Sequence, residues 1–534
     1  MKIIVSLDVG TSAVKASVYR IDRGAVCLAY RSVRYGLYSE YPEYAEQDTE
    51  EIWNAVCSAL RNTLSEAGFP TVDAVSICSQ AQSVIAVDRE GNVLRRSLNC
   101  QDARATEEMN KSLGVGLKID GVNIVKTLRT IYRTGGASCS AKDSMWKILW
   151  IRDHEPEIYA KTALFLDMKD FIIGKLTGNF VTTKDDAFTT FLLDFRSGKN
   201  QWSKEICDLY GVDIRRLPKI IGSTDTAGFV TEKASGECGI PAGTEVIGGV
   251  IDVSGIQIGS GAIAEGKTHI YFGSSGWVST VTAKRRTSIL YRSGGLCSAF
   301  NGIYNHYGPL ESAGISYEWA KNTLVFSDIL SDNLSYEKDN LKILADMSDV
   351  ARKVSVGCDG LMFAPWISGT RCPFEAPDIG GMFINFRLHT QQKHLVRAVM
   401  EGICYHYRLI YEAEKKLCGV SDPIRFLGGG ANSDVITQIL SDVLGVTVEV
   451  PALPQDAGAL GAAILAASDR QKPDIAMMES FVKPAKIFTP DPENHKLYDR
   501  FYRVYRQLYR SDRKIYEELN RAVQIDANQK GKDK

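Results

Sequence analysis

The chain has 534 residues, 44% hydrophobic and 24% charged, a balance that describes an ordinary folded protein of roughly two to four domains and excludes a fibrous or low-complexity one. Its 63 basic and 64 acidic side chains nearly cancel, so no net field exists to attract nucleic acid or an anionic membrane. Twelve Cys without a C-x-x-C pair and seven His without an H-x-x-x-H pair read as reduced cytoplasmic thiols, not as a disulfide frame or a dedicated His-built metal site.

The opening "MKIIVSLDVG" has one Lys and an apolar run too short for a signal peptide, and no later run approaches the ~18 apolar residues of a spanning helix. Residues 2–33 alternate short β-branched runs with Gly turns and predict a hairpin or three-stranded meander. The first turn, "SLDVGTS", follows an apolar strand. Gly10 lets an anion approach the backbone, Thr11 and Ser12 add amides and hydroxyls, and Asp8 suits Mg²⁺. A plain hairpin with Asp8 capping its own backbone explains the same letters.

"DTEEIWNAVCSALRNTLSEAG" predicts a helix capped by Asp48, and "VDAVSIC" predicts the strand after it, the rhythm of an α/β domain. The Gly/Pro-rich "CGIPAGTEVIGGVID" marks a domain boundary near residue 245. Just past it, "GGVIDVSG" puts Asp252 behind a buried strand, as a helix cap or as a base that accepts a proton from an alcohol.

Residues 261–268, "GAIAEGKT", match G-x-x-x-x-G-K-T, the letters of a P-loop. The context is reversed, because the segment before them has helical spacing and the segment after them is β-branched. A helix C-terminus presents carbonyls to an anion, so the match reads as a helix-to-strand turn with Lys267 in water. The plainer "IYFGSSGW" behind it repeats the strand–turn–strand shape of the first phosphate candidate, with Gly273, Ser274 and Ser275 in the turn. "IRFLGGGANSDVITQIL" places three glycines between a strand and an amphipathic helix capped by Ser433 or Asp434, where a flat ligand can lie on bare backbone. The aromatic stripe of "NHKLYDRFYRVYRQLYRSDRKIYEELNRA" predicts a packing helix, and "NQKGKDK" a disordered polar tail.

In this order the motifs resemble the FGGY carbohydrate kinases of the sugar kinase/Hsp70/actin superfamily. "DVGTS" looks like the first phosphate motif, "GGVIDVSG" the catalytic connecting segment, "GSSGW" the second phosphate motif, "FLGGGANS" the adenosine motif and "DAGALGAA" the second connecting segment. "SMWKILWIRDH" and "GGMFINFRLHTQQKHLVRAVMEG" are similar to the two family signatures, with Lys142 beside the first and Asn385 where the second has Gly.

The resemblance implies an α/β fold of two actin-like (ribonuclease H-like) domains with central mixed sheets and an interdomain cleft. The expected divisions are residues 1–245, residues 246–485, and a C-terminal helix and tail over 486–534. It implies ATP with Mg²⁺ near Asp8, Asp252 as catalytic base, and nucleotide contacts from Gly10, Thr11, Ser12, Lys15, Gly273, Ser274, Ser275, Gly314, Glu318, Gly429, Gly430 and Ser433. Gln80, Ala81, Gln82 and Asp102 fall at substrate positions beside Asp252. The substrate implied is a small sugar, most nearly D-xylulose giving D-xylulose 5-phosphate. Alternatives are ribulose, erythritol, gluconate or an autoinducer-2 type compound, since Ala81, Gln82 and Val253 keep neither the xylulokinase nor the glycerol kinase pattern. A homodimer is a common family state. The rival reading is a silent ATP-binding or sugar-sensing member of the superfamily, against which Asp8 and Asp252 speak.

Overall fold

The computed structural model describes residues 1–119, 122–196, 201–288, 290–324, 336–469 and 473–530. The chain divides into two compact units. The first comprises Met1–Gly261, Leu296–Tyr304 and Asp456–Val482, and the second Ala262–Gly295, Asn305–Gln455 and Lys483–Lys534.

In the first unit, strands β1 (Lys2–Val9), β2 (Ala13–Ile21) and β3 (Ala25–Arg34) form the expected antiparallel meander. Helix α1 (Thr49–Glu66) follows, and the Asp48 side chain accepts from the amides of Glu50 and Glu51, so the first-turn donors are satisfied as the sequence predicts. Its apolar stripe, including Ile52, Trp53, Val56, Leu60 and Leu64, covers the sheet and returns the chain to β4 (Ala74–Ser79), parallel to β1. Helices α2 (Ser144–His154), α3 (Met168–Thr177) and α4 (Lys184–Thr189) precede the far edge of the sheet, built from β5 (Thr226–Phe229) and β6 (Glu245–Ile247). The strand order is β5-β6-β4-β1-β2-β3, with the short β7 (Val250–Ile251) also paired to β4. All of β4's pairings are parallel and all six of its residues are buried, as expected for a strand covered on both faces. Helix α5 (Asp252–Ser260) starts directly from β7.

The second unit repeats the plan. Strands β8 (Thr268–Phe272) and β9 (Gly276–Thr282) form a hairpin, extended by β10 (Thr287–Ser288), β11 (Ser293–Cys297) and β12 (Tyr304–Leu310). Helix α6 (Gly314–Leu324) and the long α7 (Gln392–Cys418) lead to β13 (Ile424–Gly428), parallel to β8. Helix α8 (Asp434–Leu444) then buries Val435, Ile436, Ile439, Leu440, Val443 and Leu444, the stripe read from the sequence. Strands β14 (Val448–Pro451) and β15 (Pro484–Phe488) complete the sheet order β10-β11-β12-β9-β8-β13-β14-β15. The last helix, α9 (Pro492–Lys530), inserts Tyr498, Tyr502, Tyr505 and Leu508 into this core.

Two expectations change. The units part at Gly261, not near residue 245, and Asp252 packs within the first unit. The cause is the helix Ala457–Ala467, which returns to the first unit and clamps α5 against β1 and β4. The polar tail expected from Asn528 is helical through Lys530, and residues 531–534 lie outside the described residues.

Candidate active site

The first unit gathers carboxylates at the C-terminal ends of neighbouring strands, where open α/β sheets place their ligands. Antiparallel register sets Asp8 on β1 opposite Lys15 on β2, and Lys15 Nζ lies 3.4 Å from Asp8 Oδ2. Beyond β1 the turn is pinned from outside, with Gln47 Nε2 donating to Thr11 O at 2.7 Å and the Tyr35 hydroxyl donating to Gly10 O. An added Cβ on Gly10 would meet only Ala13 O, at 3.5 Å, so the fold itself does not demand glycine there.

Asp252 is the first residue of α5. The N-cap is Ile251, so Asp252 is not the cap; its Oδ1 accepts from the neighbouring Val253 N at 2.7 Å, which leaves Oδ2. Burial pushes its carboxyl up to about 7, and the charges of Asp8, Asp167 and Asp185 add to the rise against the Val253 hydrogen bond. A carboxylate held near neutrality is suited to general-base work.

The approach of α5 to the Ala457–Ala467 helix fixes this geometry. A Cβ on Gly259 would stand 1.8 Å from Ala457 O, and one on Gly461 would stand 1.8 Å from Gly255 O, so the two backbones touch. A Cβ on Gly458 would come within 3.3 Å of the Asp8 carboxylate. The glycines of "DAGALGAA" therefore serve helix packing. Directly before that helix stands Asp456, buried, with Oδ1 lacking a hydrogen-bond partner. Burial raises its carboxyl to about 6, opposed by Lys15 and assisted by Asp8. Sequence reasoning singled out the segment but not this residue. Its signal was an acidic residue next to a Gly/Ala helix with no apolar role to play.

The four substrate-position residues differ in what they offer. Gln80 is buried in an amide network, donating to Gln47 Oε1 at 2.8 Å and accepting from Asn99 Nδ2 at 3.1 Å. Gln82 takes φ +67°, a strained conformation for a non-glycine. Asp167 holds it there by accepting Gln82 N at 2.6 Å and Ser83 N at 2.9 Å, while the Gln82 amide donates to Asp143 Oδ1 at 2.9 Å. Lys147, fully buried and lowered to about 8 by desolvation, donates to Gln82 O at 2.9 Å and Asn99 O at 2.6 Å. Ala81 presents only a methyl group. Asp102 is 0% exposed and its oxygens accept from the Arg104 guanidinium at 2.8 and 3.0 Å and from Ala45 N at 2.7 Å. It anchors Arg104, which lies 3.6 Å over the Tyr44 ring, and has little capacity left for a sugar hydroxyl.

The second unit supplies the other expected turns. Between β8 and β9, Gly273 O and Ser274 O accept from Gly314 N and Ile315 N, both at 2.9 Å, so the start of α6 braces the turn. Gly314 is required, because a Cβ would meet Gly273 O at 2.3 Å. Glu318 is largely exposed and pairs with Lys321. In the triple-glycine turn, Gly428 takes φ +88° against the β8 backbone and Gly430 packs on the Phe272 ring. Those two glycines thus have structural causes. Gly429 has none: it is exposed and a Cβ would meet nothing within 4 Å. Ser433 is the cap of α8, with Oγ accepting from Ile436 N at 3.3 Å and meeting Ser348 Oγ at 2.9 Å. The P-loop letters fall as expected on the left-handed end of α5 at Gly261, φ +71°, and run on to the first residue of β8. Lys267 is half-buried, not free in water.

Family models for the FGGY family of carbohydrate kinases match the chain twice, the N-terminal domain over residues 3–259 and the C-terminal domain over residues 286–469. The chain is 27% identical over 516 residues to the xylulose kinase of Bacillus subtilis, covering 95% of this chain and 97% of that one. It is 25% identical over 522 residues to the gluconokinase of Bacillus licheniformis, covering 97% of each. Among solved structures, gluconate kinase from Lactobacillus acidophilus superposes with a TM-score of 0.82 at 25% identity, over 97% of this chain and 99% of that one.

Proposed function

Because the chain belongs to the FGGY family of carbohydrate kinases, phosphotransferases that act on sugar hydroxyls, we propose that it transfers the γ-phosphoryl group of ATP to D-xylulose, giving D-xylulose 5-phosphate. The observation that carries the chemistry is Asp252, held near neutrality at a strand end with the Asp8–Lys15 pair as its neighbour. Asp252 Oδ2 accepts the proton of the sugar hydroxyl as that oxygen attacks the γ-phosphorus in line. Lys15 and the amides of Thr11 and Ser12 meet the growing negative charge, while Gly10, whose own amide donates to Ala13 O at 3.0 Å, shapes the turn; Gly273, Ser274 and Ser275 are the corresponding phosphate candidates of the second unit. Gly314, Glu318, Gly429, Gly430 and Ser433 are the assigned contacts to the rest of the nucleotide.

Asp8 fits Mg²⁺, because a single partly exposed carboxylate beside a phosphate turn matches an ion that takes one or two carboxylates plus phosphate oxygens. When bound, the ion neutralises charge on the phosphates. The sugar is oriented by Gln80 and Gln82, rigidly held through Asp167 and Lys147, with Asp102 acting through Arg104.

Gluconate is the second candidate, favoured by full-length likeness to gluconokinase. An ADP-release assay over ketoses, aldoses, polyols and sugar acids decides between them. D-xylulose is expected to give the highest kcat/KM, and a clear preference for gluconate would replace it. ADP release that no sugar accelerates would overturn the role given to Asp252.

A further inference from the structure

In the second unit, among residues given no role above, His306, Glu414 and Cys418 bring one candidate ligand atom each to within 4.8 Å of one another. Strand β12 supplies His306, while α7 supplies Glu414 and Cys418, four residues apart and hence on one helix face. His306 and Glu414 are fully buried, with Nδ1 and Oε1 2.7 Å apart. The other carboxylate oxygen, Oε2, is buried without a hydrogen bond of ordinary geometry, and the carboxyl's remaining polar neighbour in the cluster is the Cys418 thiol, whose proton it helps to hold. That is an expensive arrangement for a group with two acceptor oxygens, and a single imidazole N–H cannot satisfy both. Cys418 is only partly buried, which gives the cluster a way in from outside. The far nitrogen of His306 faces Ser293 Oγ at 3.5 Å, where a ligating imidazole ordinarily has an outer partner.

Imidazole nitrogen, carboxylate oxygen and thiolate sulfur together are the donor set of a zinc-type ion. Metal–ligand bonds of about 2.0–2.3 Å in a tetrahedron put ligand atoms about 3.5 Å apart, so replacing the shared His306–Glu414 proton with a metal asks the two groups to part by less than about 1 Å. We propose that His306, Glu414 and Cys418 bind a divalent cation of the zinc class, with water completing the coordination, and that the ion clamps β12 to the C-terminal end of α7.

The test uses the full-length protein, stripped with a chelator and titrated with Co²⁺. The expected result is one Co²⁺ per chain, with a thiolate-to-cobalt charge-transfer band and tetrahedral visible bands that Zn²⁺ displaces. Cys418→Ser, at a partly exposed position, should keep the native far-ultraviolet dichroism and lose the charge-transfer band. His306→Gln should weaken binding at least tenfold. Zn²⁺ should raise Tm in the wild type by mass action and leave Cys418→Ser unmoved. A folded wild type that shows no thiolate band, or a Cys418→Ser protein that keeps it, overturns the proposal and leaves a buried His–Glu hydrogen bond as the whole function of the cluster.

Discussion

At residue scale the question is which side chains do chemistry and which hold others in place. Asp252→Asn keeps the Val253 contact and the volume but removes the proposed base, so it should fold normally while kcat falls by about 10²–10⁴. Steady-state kinetics beside a melting curve check it, and wild-type turnover would sink the assignment. The sign of the pH effect follows from the raised carboxyl. A base with a value of about 7 is active only when deprotonated, so kcat/KM should fall tenfold per pH unit below about 7 and flatten above it. A limb near the ordinary carboxylate range instead would mean that the group in play is not Asp252. One departure from the family signature is explained at this scale. Asn385, where the pattern has Gly, takes φ +66° and donates to Gly360 O at 3.0 Å, and Asn is among the few side chains that tolerate that conformation.

At element scale the glycines divide by cause. Gly259→Ala would drive a methyl into Ala457 O and force α5 and its partner helix apart, at a cost of about 1–3 kcal/mol in denaturant unfolding. Because Asp252 opens α5, activity should fall with it. Gly429→Ala is the contrasting case. Nothing crowds that position, so stability should stay within about 0.5 kcal/mol of wild type while KM for ATP rises. An unchanged KM would remove Gly429 from the nucleotide contacts. Periodicity and caps made most elements legible in advance: the α1 cap at Asp48, the α8 stripe, and the helix-to-strand reversal that disqualified the P-loop letters. What the letters could not give was the partner of each glycine. Three in a row looked like a ligand platform, yet Gly428 and Gly430 answer to the β8 backbone and Phe272. Asp102 fell at a substrate position, yet Arg104 two residues on takes both its oxygens. His306 and Glu414 stand 108 residues apart, so no spacing rule could have joined them.

At the scale of the whole molecule, the repeat of one plan in both halves was legible from alternating strand and helix signals, but the boundary was not. A Gly/Pro-rich stretch near 245 resembles a linker, whereas the real division follows packing and sends Asp456–Val482 back to the first unit. A fragment of residues 1–261 would therefore expose the glycine face of α5 and lack Asp456. It should show near-ultraviolet dichroism characteristic of loose packing, and adding residues 456–482 in trans should restore it. A fully ordered 1–261 fragment would contradict the division.

That returning segment also sets an order of events during synthesis. The ribosome finishes residue 261 and must make 221 more residues, 482 less 261, before the first unit has all its parts. At about 5–20 residues per second this is a delay of about 11–44 s. Through that interval the surface of α5 that meets the Ala457–Ala467 helix lacks its partner, which leaves it open to a chaperone. The strand-end carboxylates reach their final arrangement only after residue 482 has been made, so a product that stops short of it should lack the activity proposed for them.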